Sequence, residues 1–449
     1  MKYEIKPKYE NIPDWEFYAS NLMTEYTQSI EEGLDIEKYK DIFIAVSELP
    51  KGEIKKKFGD VLYEIVMNAK MREDYPYVEP SEIEEIKKLR VPYRYEKRQI
   101  ENLEDKIHGA WLGRVCGCLL GKVIEGIHTD ELIPFLKETG NYPMHRYILK
   151  SDIDKIDTAK YDYEFRKSAC ADKCDGMPTD DDTNYMVLYQ EIVNNYGRGF
   201  SPYDVSRAWL RYQPRSAYCT AERFAFCNFV KGYEPPQSAV YKNSYREWIG
   251  AQIRGDYFGY INPGDPELAA DMAWRDASIS HTKNGIYGEM FASAMIAAAA
   301  DCDNVKDAVL AGLAEIPHTS RLYSDVMCIV ESVSNGMTKE DVFKIIHEKY
   351  DEYTAHGWCH TIPNAMIVAA SLLMGDGDFG RSVCMAVETG FDTDCNGATV
   401  GSVIGMMNGT GSISEEWSSP INDTIYTDIF GLAKVRISDR VKLTMEHLK

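Results

Sequence analysis

No two of the eleven cysteines in this chain stand in CxxC spacing. The closest pairs, Cys116-x-Cys118 and Cys170-x3-Cys174, are not spaced for a zinc finger, so the thiols read as reduced and apolar in character. Positive charge is also short. Fifty Lys and Arg against 71 Asp and Glu leave a formal net charge of -21, which argues against a nucleic-acid backbone as the main ligand. The best apolar stretch, 291-FASAMIAAAA-300, is too short and too Ala-rich to span a bilayer. The opening MKYEIKPKYENIPDWEF carries charge where the apolar core of a signal peptide would be. These absences describe a soluble, cytoplasmic protein with neither membrane nor nucleic acid as partner. Alternating β-branched runs with Asn-Gly or Asp-Gly hairpin signals are nearly absent as well, which leaves the all-α class.

What is present is helical periodicity. Apolar residues at three- and four-residue intervals predict helices in 31-EEGLDIEKYKDIFIAVSEL-49, 58-FGDVLYEIVMNAKMRED-74 and 103-LEDKIHGAWLGRVCGCLLGKV-123, and again over 287–300, 304–316, 321–333 and 363–374. The proline-marked, charged stretch 75-YPYVEPSEIEEIKKLRVPYRYEK-97 reads as a linker or a loosely docked helix. It places a boundary near residue 100, with an N-terminal helical extension over 1–100 and a main domain over 101–449. Residues from about 210 to 262, rich in Tyr, Trp, Pro and Gly, read as a long ordered connection or insertion.

Four stretches carry chemistry. In 178-PTDDDTNY-185 three adjacent aspartates open a helix; two would serve the macrodipole, and the third suggests a cation. In 389-TGFDTDCNGATVGSVIG-405, Asp392 and Asp394 can point at a common cation from a glycine-flanked turn. Oxygen-only ligands suit Mg²⁺ or Mn²⁺ rather than zinc. In 109-GAWLGRVCGCLLGKVIEG-126, Gly109, Gly113, Gly117 and Gly121 recur every four residues. Each costs about 1 kcal/mol relative to Ala in a helix interior, so the stripe predicts close approach of another helix. Glu125 follows near the helix end, where the macrodipole opposes a negative charge; it is either surface charge or held for chemistry. In 280-SHTKNGIYGEMF-291, His281 precedes a glycine-rich helix entry that can bind a phosphate or carboxylate, or simply make a tight turn.

Taken in order, these stretches resemble the ADP-ribosylglycohydrolase family, including the dinitrogenase-reductase-activating glycohydrolases. The shared pattern is a glycine-stepped helix ending in GxxxE, a T-D-D-T-like turn, a His before a Gly-rich turn, and G-x-D-T-D. It covers roughly residues 100 to 410 and leaves the first hundred outside. The resemblance implies an all-α, orthogonal multi-helix domain holding two divalent cations, Mg²⁺ or Mn²⁺, at the base of an ADP-ribose cleft. It implies metal ligation by Asp181, Asp182, Asp392 and Asp394, an acidic catalytic role for Glu125, and an ADP-ribose site lined by His281, Asn284, Gly285, Tyr287 and Gly288. Two departures stand out. Asp180 occupies the place of the first threonine of T-D-D-T, and Cys395 that of the last threonine of D-T-D-T. Asp180 is therefore expected as a further ligand, supplying the oxygen that Cys395 does not.

The expected reaction is metal-assisted hydrolysis of an N- or O-ribosyl bond in an ADP-ribosylated protein or a small ADP-ribose conjugate. Glu125 or a metal-site aspartate such as Asp182 takes the proton of the attacking water. The alternatives are a non-catalytic ADP-ribose binder and a hydrolase of another small ribosyl metabolite.

Overall fold

The computed structural model describes residues 6–449, and among them it is all-α: helices carry the chain, with one antiparallel pair of three-residue strands, Thr424–Tyr426 and Lys434–Arg436. No helix among the described residues is long and apolar enough to cross a membrane.

The organising element is a pair of helices, α2 (Leu103–Lys122) and α5 (Thr393–Asn408). The glycine stripe explains their contact. A Cβ on Gly113 would sit 2.9 Å from the Gly401 carbonyl carbon, and one on Gly109 would sit 2.8 Å from the Gly409 Cα. Gly117 faces Gly397 and Gly121 faces the Thr393–Asp394 peptide in the same way. The two backbones touch over four turns, running in opposite senses, so the end of α2 abuts the start of α5. Both helices are buried on nearly every face, which is why neither shows an amphipathic stripe. Around them pack α3 (Asp181–Tyr196), α4 (Asn284–Ala299) and the helix Thr361–Gly375, in one continuous apolar core that also takes in Trp111, Tyr185 and Tyr260.

One expectation changes. The segment 31–49 is not one helix. Helix α1 (Leu22–Glu31) stops before Gly33, which has φ +87°, and the chain resumes with a 3-10 turn at Glu37–Tyr39 that runs into a helix at Lys40. A Cβ on Gly33 would collide with the Tyr75 ring, so the turn is set by packing as well as conformation. The 210–262 region is ordered, as its aromatic content implies. It contains the helices Thr220–Val230, Gln237–Val240 and Asp256–Tyr260, and its aromatics Tyr218, Trp248, Tyr257 and Tyr260 are buried.

The first hundred residues lie against the main body. Tyr18, Leu22, Tyr26, Phe43 and Leu62 form a second apolar cluster that shares Phe224, Tyr245, Trp248 and Cys359. Ion pairs fix its position: Arg246 takes Glu25 at 2.8 Å and Glu32 at 2.6 Å, and Arg321 takes Glu79 at 2.9 Å and Glu247 at 2.7 Å. The stretch after residue 75 is extended, with one short helix, Ile83–Lys88, and it crosses the main body through Trp274 Nε1 to the Ser81 carbonyl at 2.8 Å and Tyr95 to Asp301 at 2.7 Å.

Candidate metal centre

The antiparallel pairing of α2 and α5 brings the end of one glycine helix to the acidic start of the other. Helix α3 delivers its own acidic N-terminus to the same point. Ligand-type atoms of Cys118, Asp180, Asp182 and Asp394 lie within 4.8 Å of one another, and so do those of Asp392, Asp394 and Cys395. Asp394 belongs to both groups. Asp181 stands beside them, half-buried.

Local structure fixes each carboxylate. Asp180 is the N-cap of α3; its Oδ1 accepts the Asp182 N–H at 2.9 Å, the usual geometry of a capping aspartate. Its other oxygen takes the ammonium of Lys122. Asp182 is 0% exposed. Its Oδ1 pairs with Arg114 at 2.8 Å, and its main-chain carbonyl accepts two more Arg114 bonds at 3.0 and 2.8 Å. Arg114 also reaches Asp256 at 2.5 Å. At the other turn Gly390 and Phe391 both have positive φ, 76° and 56°. That conformation is uncommon for a bulky side chain, and the strain aims Asp392 and Asp394 back at α2. Asn364 accepts the Asp392 N–H at 3.2 Å, and Thr393 donates to the Gly121 carbonyl at 3.0 Å.

Two oxygens at the centre of this arrangement have no hydrogen-bond partner: Asp182 Oδ2 and Asp394 Oδ1, on residues 0% and 3% exposed. Burial drives the carboxyls of Asp181, Asp182 and Asp394 well above the carboxylate range, and neighbouring carboxylates push further. Burial, then Glu125, raises Asp392 to about 7. Asp180 goes the other way. Burial opposes it, but Lys122 holds it below its ordinary value. Buried carboxylates that repel one another and lack donors are an arrangement that a hard divalent cation completes. The donor set fits such an ion. The thiols of Cys118 and Cys395, kept protonated by burial and by the surrounding carboxylates, contribute little to it.

Glu125 lies three residues beyond α2, its carboxylate paired with Arg166 and its carbonyl accepting the Tyr163 hydroxyl at 3.1 Å. Its side chain is 27% exposed, and its charge is among those that raise Asp181, Asp392 and Asp394. It therefore faces the cluster from the solvent side.

The proposed ADP-ribose turn sits elsewhere, in the first turns of α4 and just before it. Asn284 Nδ2 donates to Glu79 at 2.8 Å and to Glu247 at 3.0 Å, and the Tyr287 hydroxyl binds the Pro80 carbonyl. Gly285 packs on the Arg246 carbonyl and His281, and Gly288 on Thr361 and Gln252. His281 is buried, with Nδ1 against the Ser280 hydroxyl at 2.8 Å and Nε2 without a partner. The N-terminal segment around Glu79 thus closes over this turn.

A further group, Glu31, His356 and His360, has metal-like spacing, but its hydrogen bonds oppose a metal. His356 Nδ1 receives the Trp248 indole N–H at 3.1 Å, and His360 Nδ1 receives the Ile362 N–H at 3.2 Å. His356 then turns Nε2 to the Glu31 carboxylate at 2.9 Å as a donor rather than a ligand, while His360 Nε2 lies 3.5 Å from Glu247 without a hydrogen-bond partner.

Sequence reading missed Arg114, Cys118 and Lys122. All three lie on the face of α2 that meets the acidic turns, and the spacing 114, 118, 122, 125 carries that signal.

The structure combines an all-α body with a buried carboxylate cluster, able to hold a cation, at the ends of two glycine-packed helices. Residues 99–446 match the model of the ADP-ribosylglycohydrolase family; the chain belongs to that family. A solved structure described as an "ADP-ribosylglycohydrolase-related protein complex" is similar at 16% identity, covering 77% of this chain and 98% of that one, with a TM-score of 0.47. No curated protein gives a significant match.

Proposed function

We propose that this chain is a divalent-cation-dependent glycohydrolase that cleaves the ribosyl bond of an ADP-ribosylated side chain or a small ADP-ribose conjugate, releasing ADP-ribose. The observation that carries the reading is the pair of buried, unpartnered oxygens on Asp182 and Asp394, drawn from two different helix starts. Mg²⁺ or Mn²⁺ held by Asp181, Asp182, Asp392 and Asp394 would orient ribose hydroxyls and stabilise developing charge.

The chain's own residues supply the rest. Glu125 borders the cluster and retains access to solvent, so it is placed to take a proton from a water attacking the anomeric carbon. Arg166 holds one of its oxygens and fixes its direction. Asp182 is the second candidate for that proton, but Arg114 already occupies one of its oxygens. Bond breaking in such a site passes through an oxocarbenium-like state, which surrounding carboxylates favour. An ADP-ribose moiety reaching His281, Asn284, Gly285, Tyr287 and Gly288 must displace Glu79 and Pro80 from that turn. This enclosure supports a small conjugate over a bulky protein substrate. Eleven unpaired cysteines fit a reducing, cytoplasmic setting.

The test is release of ADP-ribose from ADP-ribosylated arginine and serine peptides and from small conjugates, with Mg²⁺ and with Mn²⁺. Glu125→Gln is expected to slow release by about 10²–10⁴-fold without loss of ADP-ribose binding. If no substrate is turned over while ADP-ribose still binds, the chain is a binder rather than an enzyme.

A further inference from the structure

We propose that the ammonium of Lys122 takes one of the two cation positions in the acidic centre, so that the chain binds a single divalent ion, between Asp392 and Asp394. The inference rests on the reading of this cluster as a cation site and goes beyond it in number and place.

The two groups of ligand-type atoms share Asp394 but differ in everything else. In the first, Asp180 has no oxygen left to give. One caps α3, and the other binds the Lys122 ammonium. Asp182 gives one oxygen to Arg114 and keeps the other without a partner. Cys118 offers only a buried thiol, a poor ligand for a hard cation. Lys122 is 15% exposed on its side chain, and the carboxylates acting on it most strongly are Asp180 and Asp394. A compact ammonium already sits against Asp180 at the edge of this group. A divalent ion placed in the first group would have to displace it or sit against a like charge.

The second group differs. Among the described residues no Lys, Arg or His forms an ion pair with Asp392 or Asp394, and Asp394 Oδ1 has no partner. Asp392 and Asp394 project from a turn held by Asn364 and by the strained Phe391, so their separation is set by the backbone. Gly121, packed on the Thr393–Asp394 peptide, fixes where the Lys122 stem begins. The lysine and the two aspartates are therefore registered on one another. Asp180, expected as the replacement for the oxygen missing at Cys395, instead serves Lys122. The second group keeps its thiol uncompensated.

Equilibrium dialysis against Mn²⁺, with bound metal counted per chain, decides the matter without reference to activity. The wild-type protein is expected to bind one ion and Lys122→Met two. Asp392→Asn should weaken the single ion by at least about tenfold, whereas Asp180→Asn should leave it in place. Two ions in the wild type overturn the proposal, and so does a folded Lys122→Met protein that still binds one. If Lys122→Met fails to fold, the wild-type count and the Asp180/Asp392 contrast still decide: loss of the ion in Asp180→Asn with retention in Asp392→Asn overturns it. No binding in any of these proteins overturns it together with the metal reading of the whole cluster.

Discussion

Two of the buried carboxylate clusters in this molecule are built on opposite principles. Where the N-terminal extension docks, Glu25, Glu32, Glu79 and Glu247 meet Arg246, Arg321 and Lys283, and every one of the four has a basic partner. Where α2 meets α5, Asp182 and Asp394 each keep an oxygen with no partner at all. Burial is similar in the two places, so depth does not separate them; compensation does. The first cluster is closed and spends its charge on holding two parts of the chain in register. The second is left short of positive charge, and a group left so at depth invites a cation.

The comparison breaks if the two clusters respond alike to loss of charge. Arg321→Met strands Glu79 and Glu247, and it should destabilise the protein by about 3–5 kcal/mol in urea unfolding. Saturating Mn²⁺, at about 100 times its Kd, should stabilise the wild type by about 2.7 kcal/mol, with the gain gone in Asp394→Asn. In metal-free protein that same Asp394→Asn change should cost nothing or stabilise by up to about 1 kcal/mol, because it removes one of several repelling carboxyls. Loss of stability in metal-free Asp394→Asn would mean that the second cluster is as closed as the first.

The smallest expected effect is in acid. Burial, then Arg254, holds the His281 imidazole well below its ordinary value of 6.5. The unfolded chain therefore takes a proton there before the folded one does. The stability linked to His281 is complete above pH 6.5 and is lost as pH falls below it. Thermal unfolding at pH 7.5 and 5.5 should show His281→Gln losing less than the wild type, by roughly 1 kcal/mol. An equal loss in both would place the acid sensitivity elsewhere.

Much of this architecture was legible in residue order. The helical class, the close approach at Gly109, Gly113, Gly117 and Gly121, and the two acidic helix starts all follow from local rules. Close packing and capping leave marks at fixed spacings, which is why they can be read. Lys122 could not be placed in the same way. A lysine after a glycine stripe looks like a solvated helix end, and only the arrival of the α3 N-terminus brings Asp180 to it. The partners of Asn284 were equally hidden, because Glu79 lies 205 residues away in a segment that reads as a linker. The Gly33 break was missed for a related reason: its cause is the ring of Tyr75, not its neighbours in sequence.

The glycine contact between α2 and α5 has a consequence for how such a centre can vary. Because main chain rests on main chain, the place of the Asp392–Asp394 turn against α2 is set by peptide groups, while the start of α3 is tied to α2 by the side chains of Arg114 and Lys122. Positions 118 and 395 are therefore free to exchange oxygen and sulfur while that turn keeps its place. A change of ion number or ion preference is then a change of one side chain on an unmoved scaffold, and a Cβ at Gly117 would do more damage to the centre than replacement of any single ligand.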